Sequence, residues 1–349
     1  MDRRRANAGA MAAPTDRLRG VRRLAAVTAA GTLVLIAMGG AVRATDSGLA
    51  CPDWPACYGK WIPPADVNMW FEHSHRLWAG VIGLAVAWLT AWTLLRFRDR
   101  PALWRLSLAA LVLVVAQAAL GAAVVLLHLR AGLVTSHLGM SLVVVACLIV
   151  LTALARPEGA TPSPTAGGER VGRWAAGVAG LVFLQALLGG QATGRGAAYV
   201  YNAVPFWLAD QAWTGNVREW LHVTHRAGGY LVATTVVAFA VAVHRRARTD
   251  ATVPAWAPKL AKLGVALVLA QVGLGLANVL TRAGALSATG HLSVASWLWA
   301  TFVVMAVRGL AGSAHGGRAR RAGSADADAR PGSDDGPGNP RSIAEEVNA

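Results

Sequence analysis

The sequence predicts an all-α polytopic membrane protein, with eight transmembrane helices arranged as two pseudo-symmetric four-helix bundles. Three observations carry this. Of 349 residues, 55% are hydrophobic and only 15% are charged, against about 25% charged in ordinary soluble domains. Apolar runs of about 20 residues recur along the chain, the length that crosses a bilayer core as a helix, and a helix satisfies its own backbone in lipid. Landmarks of the first half also return in the second at a nearly constant offset. Gly39-Gly40 pairs with Gly189-Gly190, and His75-Arg76 with His225-Arg226, both at 150. Gln117-x-x-Leu120-Gly121 pairs with Gln271-x-x-Leu274-Gly275, and His137-Leu138 with His291-Leu292, both at 154.

Residues 1–23 carry seven arginines and form a basic cytoplasmic tail. The apolar run that follows reads as a first span rather than a cleaved signal. The N-terminal bundle covers 24–154. Its spans are 24–43, 75–95, 106–128 and 134–154, and an outer loop at 44–74 holds Cys51 and Cys57. Trp54, Trp61 and Trp70 in that loop suit the headgroup layer. Residues 155–173, rich in Pro, Gly and Thr, form a cytoplasmic linker. The C-terminal bundle covers 174–309, with spans 174–194, 221–243, 260–281 and 287–309. Residues 310–349 are too polar to pack and read as a disordered tail.

The net charge of +15 does not point to nucleic acid, because the basic residues sit in alternate loops rather than on one face. Counting Lys and Arg by side puts 25 on the side of both termini and 8 on the other. This asymmetry places both termini in the cytoplasm of a multi-pass cell-membrane protein.

His75, His137, His225 and His291 each open an even-numbered span, which places all four near the extracytoplasmic face. An ionisable group within a span is a functional candidate. The plain alternative is a polar group bonding between helices, as Gln117 and Gln271 do. Two imidazoles facing each other across a four-helix bundle are the geometry that grips haem iron from both sides. The halves differ one turn before the first paired histidine. Glu72 lies three residues before His75, on the same helix face, whereas His222 stands at that place before His225. One half therefore keeps a carboxylate for chemistry, and the other is suited to holding a cofactor. The alternative for Glu72 is a surface salt bridge with Arg76. Arg76 and Arg226 suit haem propionates or snorkel to headgroups. His73, His128, His244 and His315 have no repeat partner and read as ordinary interfacial or tail residues; Glu219 reads as solvated. Cys51 and Cys57 lie outside the membrane, where disulfides persist. A bridged loop, as structural clip or redox pair, is favoured over a metal site, which lacks further ligands. Cys147 reads as core packing.

Taken together, several segments resemble the haem A synthase family of the cysteine-containing bacterial type. These are Gly40-Ala41-Val42-Arg43-Ala44-Thr45-Asp46-Ser47-Gly48-Leu49, Cys51-Pro52-Asp53-Trp54-Pro55-Ala56-Cys57, Glu72-x-x-His75-Arg76, Gln117-x-x-Leu120-Gly121, His137-Leu138, Tyr201-Asn202-x-x-Pro205, His225-Arg226 and Gln271-x-x-Leu274-Gly275-x-x-Asn278-Val279-Leu280. The resemblance covers about 24–309. It implies oxidation of the C8 methyl of haem O to a formyl group, giving haem A for cytochrome oxidase. It implies that His75 and His137 ligate the substrate haem, that His225 and His291 ligate a haem b cofactor, that Glu72 is catalytic, and that Cys51 and Cys57 form a disulfide. The partners expected are haem O, the lipid membrane, a haem O synthase and a membrane or quinol electron donor. No nucleic acid is expected, and homo-oligomerisation is left open. Two other readings are a di-haem electron carrier, against which the Glu72/His222 difference argues, and a transporter, which would place its polar groups at the midplane.

Overall fold

The computed structural model describes residues 14–157, 165–201 and 213–310. The expectations for residues 1–13, for 158–164 of the linker, for Asn202 to Pro205, for His315 and for the tail beyond 310 lie outside the described residues. Eight helices are described: α1 (Pro14–Ala44), α2 (Val67–Arg96), α3 (Pro101–Leu126), α4 (Ala131–Leu154), α5 (Ala166–Gly194), α6 (Val217–Thr249), α7 (Trp256–Leu280) and α8 (Ala285–Leu310). All eight are long and apolar enough to cross a membrane. Among the described residues there is no strand, only one isolated bridge between Cys57 and Lys60.

Most helices begin well before the apolar run that announces them, because local caps rather than hydropathy set their starts. Asp66 accepts from the Met69 N–H (3.0 Å) and starts α2 at Val67, so Glu72 and His73 are helical and the outer loop is 45–66 rather than 44–74. Asn216 and Glu219 form a reciprocal capping box that starts α6 at Val217. Thr165 caps α5 through the Gly168 N–H, and Pro101 opens α3, where a missing N–H costs nothing.

Packing follows the same pattern in both halves. In the first, α1 packs on α2 and α4, and α3 packs on α2 and α4. In the second, α5 packs on α6 and α8, and α7 packs on α6 and α8. The halves meet where α1 packs on α8, α5 on α4, and α4 on α8. At the α5–α8 crossing the backbones touch: a Cβ added to Gly309 would lie 2.6 Å from the Gly172 Cα. Without a hydrophobic drive between helices in lipid, such small-residue contacts hold the pair. One apolar cluster joins Val182, Val236, Phe239, Phe302 and Met305. Another joins Val21, Val86, Leu89, Leu148 and Leu151.

The repeat is also visible in the backbone. His128-Leu129 after α3 and Arg282-Ala283 after α7 are consecutive left-handed pairs, with φ between 51° and 58°. Non-glycine residues adopt this region rarely, and here it recurs at the same 154-residue offset. Each turn brings the chain straight into the helix carrying His137 or His291, so it fixes the depth of that histidine.

Candidate functional site

The four histidines sit one to two turns inside their helices, at matched depth. His75 and His225 each lie eight residues after the first residue of α2 and α6. His137 and His291 each lie six after the first of α4 and α8. Every ring rests on a glycine of the preceding helix. A Cβ on Gly39 would stand 3.1 Å from His75 Cε1, and one on Gly121 would stand 3.1 Å from His137 Cε1. For Gly189 and His225 the distance is 2.8 Å, and for Gly275 and His291 it is 3.3 Å. The landmark glycines of the sequence repeat are thus the seats of the landmark histidines.

The structure brings His225 and His291 together. Their ring centres are 6.4 Å apart, with planes at 73°. The Nδ1 atoms of His75, His137 and His291 are buried without closing a hydrogen bond. Gln117 Nε2 donates to the His137 carbonyl (2.8 Å) and to Ser141 Oγ (2.5 Å). Gln185 Nε2 donates to the His225 carbonyl (2.6 Å) and lies 3.0 Å from His225 Nδ1.

Above the N-terminal pair, Glu72, Arg76 and the cysteine loop form one buried unit. Glu72 is ion-paired with Arg76, and both side chains are largely inaccessible, so this is not the surface pair of the alternative reading. Glu72 Oε2 also accepts from the Cys51 N–H (2.8 Å). Arg76 Nη1 donates to the Asp53 and Ala56 carbonyls (2.6 Å each), and Nη2 donates to the Cys51 carbonyl (3.0 Å) and to Glu72. All four terminal N–H groups of the guanidinium are committed this way. Cys51 and Cys57 are disulfide-bonded and fully buried. Asp53 accepts from the Tyr58 and Gly59 N–H groups (2.6 and 2.7 Å). The Gly59 N–H is the largest cause that holds its carboxyl below the usual carboxylate range.

The C-terminal half uses the same positions with other chemistry. Arg226 Nη2 donates to the Tyr201 carbonyl (2.9 Å). His222, at the place of Glu72, is buried and donates from Nδ1 to the Ala197 carbonyl (2.7 Å). Two readings from sequence need correction. Glu219 is buried, not solvated, because it accepts from the Thr214, Gly215 and Asn216 N–H groups that cap α6. His73 is buried too, donating from Nε2 to the Trp61 carbonyl (2.7 Å), and so pins the outer loop. Sequence reading also missed Gln185. Its signal was present: Gln185-x-x-Leu188-Gly189 repeats the Gln-x-x-Leu-Gly of 117–121 and 271–275.

A metal–imidazole bond is about 2 Å, so two rings on one metal have centres roughly 6 Å apart. The 6.4 Å of His225 and His291 fits that spacing. Among the described residues no three His, Cys, Asp or Glu converge to hold a bare ion. A porphyrin brings four of its own nitrogens and needs only two from the protein. Ring seats that a single Cβ would fill match that need.

A sequence model of the family described as cytochrome oxidase assembly protein, COX15-CtaA, matches residues 22–303. The protein named heme A synthase of Shewanella oneidensis is 28% identical over 80% of this chain and 93% of its own length. The one so named in Halalkalibacterium halodurans is 28% identical over 80% of this chain and 94% of its own. That of Exiguobacterium sibiricum is 37% identical over 35% of this chain, and the match spans 42% of that relative.

Proposed function

The chain belongs to the COX15-CtaA family, and from that premise we propose that it is a haem A synthase, oxidising the C8 methyl of haem O to a formyl group. The observation that supports this best is a doubled histidine seat with a carboxylate three residues before the seated histidine in one half and a histidine at that place in the other. The substrate haem O is assigned to His75 and His137, beneath Glu72. A haem b is assigned to His225 and His291, where His222 replaces the carboxylate. Two hydroxylations of the same methyl, each consuming one dioxygen with two electrons and two protons from a donor and releasing one water, give a geminal diol, which loses water to the aldehyde. Haem b, when bound, supplies electrons one at a time.

The residues of the chain do the rest. Two imidazoles fix the height and tilt of the substrate plane. Glu72, paired with Arg76 and accepting from the Cys51 N–H, is assigned as the acceptor for a proton released from the substrate or the stabiliser of developing positive charge. Arg76 is assigned to organising the cysteine loop rather than to a propionate, since a propionate would have to displace one of its four acceptors. Propionate binding is left to Arg226 and to the outer loops. The Cys51–Cys57 bridge keeps the carbonyls of Cys51 and Ala56 where Arg76 needs them. The sidedness of the basic residues supports a cell-membrane protein with both termini in the cytoplasm.

The test is pigment analysis of the purified protein made in cells supplied with haem O. Haem A in the extract is expected, and its absence from folded, haem-loaded parental protein refutes the assignment. Glu72→Gln is expected to leave haem O unconverted while both haems stay bound. Conversion at the parental rate removes Glu72 from the chemistry.

A further inference from the structure

Like charges at the end of a helical bundle are expected to stand apart, each with its own water or headgroup. Three arginines on the face that carries both termini do not. Arg22 lies in α1, Arg156 two residues past α4, and Arg308 in the last turn of α8. These three helices pack on one another where the halves meet. Leu18 and Val21 of α1 share one buried cluster with Leu151 of α4 and with Ala155, which brings the adjoining Arg22 and Arg156 to the same place. Burial first, and then the charges of Arg22 and Arg308, hold the Arg156 guanidinium below the usual arginine range.

The protein does not relieve this crowding. Among the described residues none of the three arginines is ion-paired, and Asp16, on the same helix as Arg22, pairs with Arg19 instead (3.1 Å). Arg156 Nε is buried and closes no hydrogen bond. Its backbone is held in place, because Arg100 Nη1 donates to the Arg156 carbonyl (2.9 Å). Arg308 stacks on Trp256, 5.3 Å from the ring centre, and a guanidinium stacked by its face keeps its N–H edge for an oxyanion. Sidedness alone accounts for arginines on this face. It does not account for three brought together from both halves with a buried nitrogen left unbonded, since cations gathered without a counter-charge are costly.

Depth selects the anion. Arg22 is 22 residues from Ala44 at the outer end of α1, and Arg308 is 23 from Ala285 at the outer end of α8. At 1.5 Å per residue that is about 33–35 Å, just beyond a hydrocarbon core of about 30 Å. The cluster therefore sits at the headgroup level of the leaflet on the side of the termini. Basic clefts between transmembrane helices hold anionic headgroups there, and guanidinium groups match phosphate oxygens in pairs.

We propose that Arg22, Arg156 and Arg308 form a binding site for the phosphate of an anionic phospholipid, which bridges α1 and α4 of the first half to α8 of the second. The site lies at the opposite end of the helices from the four histidines and does not rest on the haem assignments.

The test is native mass spectrometry of the full-length protein, purified in detergent and stripped of lipid. It is titrated with phosphatidylglycerol, with phosphatidylcholine of the same acyl chains, and with inorganic phosphate. Phosphatidylglycerol is expected to bind in preference to both. Arg22→Gln, Arg156→Gln and Arg308→Gln are each expected to weaken it about fivefold, with helix content by circular dichroism as the control for folding. Arg22 and Arg308 are exposed, so their variants keep the test decisive even where Arg156→Gln unfolds. Arg98→Gln removes one exposed charge from the same face away from the cluster and is expected to bind as the parent does. Undiminished binding in the folded cluster variants, or an equal loss in Arg98→Gln, overturns the site. Equal binding of phosphatidylcholine overturns the recognition of charge, and equal binding of inorganic phosphate overturns the lipid as its occupant.

Discussion

Gly189→Ala adds a single methyl to a transmembrane helix, and two effects oppose each other. In a helix interior, glycine is roughly 0.5–1 kcal/mol less favourable than alanine, so by propensity alone the variant gains stability. The structure says it loses function of the seat. The new Cβ would lie 2.8 Å from His225 Cε1, which is 0.6 Å inside the 3.4 Å at which ordinary contact begins. The ring cannot retreat freely, because His225 is tied to Gln185 through its own backbone. Forcing a methylene into such packing costs about 1–3 kcal/mol, and the ring is displaced from the His291 axis by roughly half an ångström. At Gly275 the shortfall is only 0.1 Å, since that Cβ would stand 3.3 Å from His291. Gly189→Ala is therefore expected to lose most low-spin haem b, Gly39→Ala and Gly121→Ala to loosen their rings by an intermediate amount, and Gly275→Ala to keep its haem. The assay is haem b per protein and the shape of the reduced spectrum after purification, with helix content by circular dichroism as control. Equal, parental haem b in Gly189→Ala and Gly275→Ala refutes the idea that these glycines are seats.

Three further outcomes follow from the geometry. Arg76→Lys keeps the charge but not the four-way fork, so the cysteine loop should become open to protease and the disulfide faster to reduce, with His225-bound haem unchanged; a loop as resistant as in the parent counts against the clamp. Asp53 has a carboxyl held low by the Gly59 N–H. Its contribution to the loop is present above the unfolded carboxylate range and disappears as pH falls through the depressed value, so proteolysis of the loop should rise only in strong acid, and Asp53→Asn should abolish that pH dependence. Gly309→Val places side-chain atoms against the Gly172 Cα and the Gly168 carbonyl. It should lower the thermal midpoint in detergent by several degrees through the α5–α8 crossing, whereas the same change at Gly177, with open space around it, should not.

Eight spans and four histidines at matched depth were legible because both leave periodic marks: long apolar runs, and landmarks at fixed offsets. Helix starts were not, since Asp66 and Asn216 extend α2 and α6 into polar sequence that hydropathy discounts. The burial of His73 and Glu219 was illegible for a related reason. Their partners are backbone groups of the outer loops, and a loop's path is not periodic. The same holds for Arg76, whose acceptors are carbonyls of Asp53, Ala56 and Cys51 and carry no side-chain signature. Gln185 is a different kind of miss. Comparing halves aligns α5 with α1, where the glutamine is absent; comparing α5 with α3 and α7 would have found it.

The position shared by Glu72 and His222 shows how one frame carries two jobs. Both side chains are buried one turn before a seated histidine, and both hold an outer loop. They do so with opposite polarity: Glu72 accepts from the Cys51 N–H, and His222 donates to the Ala197 carbonyl. Loop holding is therefore common to the halves and cannot by itself explain a carboxylate in one of them. A neutral amide separates the two roles. Glu72→Gln keeps one acceptor oxygen, enough for the Cys51 N–H or for Arg76 but not for each on its own atom, and it can neither take a proton nor balance a positive charge. If loop holding were the whole task, that variant would cost about 1–3 kcal/mol for a weakened charged hydrogen bond and leave turnover of the folded protein intact. If the carboxylate serves the chemistry, the folded, haem-loaded variant should stop converting haem O while its loop stays as protease-resistant as the parent. Measuring both on one preparation decides between them: a disordered loop with normal turnover per folded molecule would reduce Glu72 to a clamp.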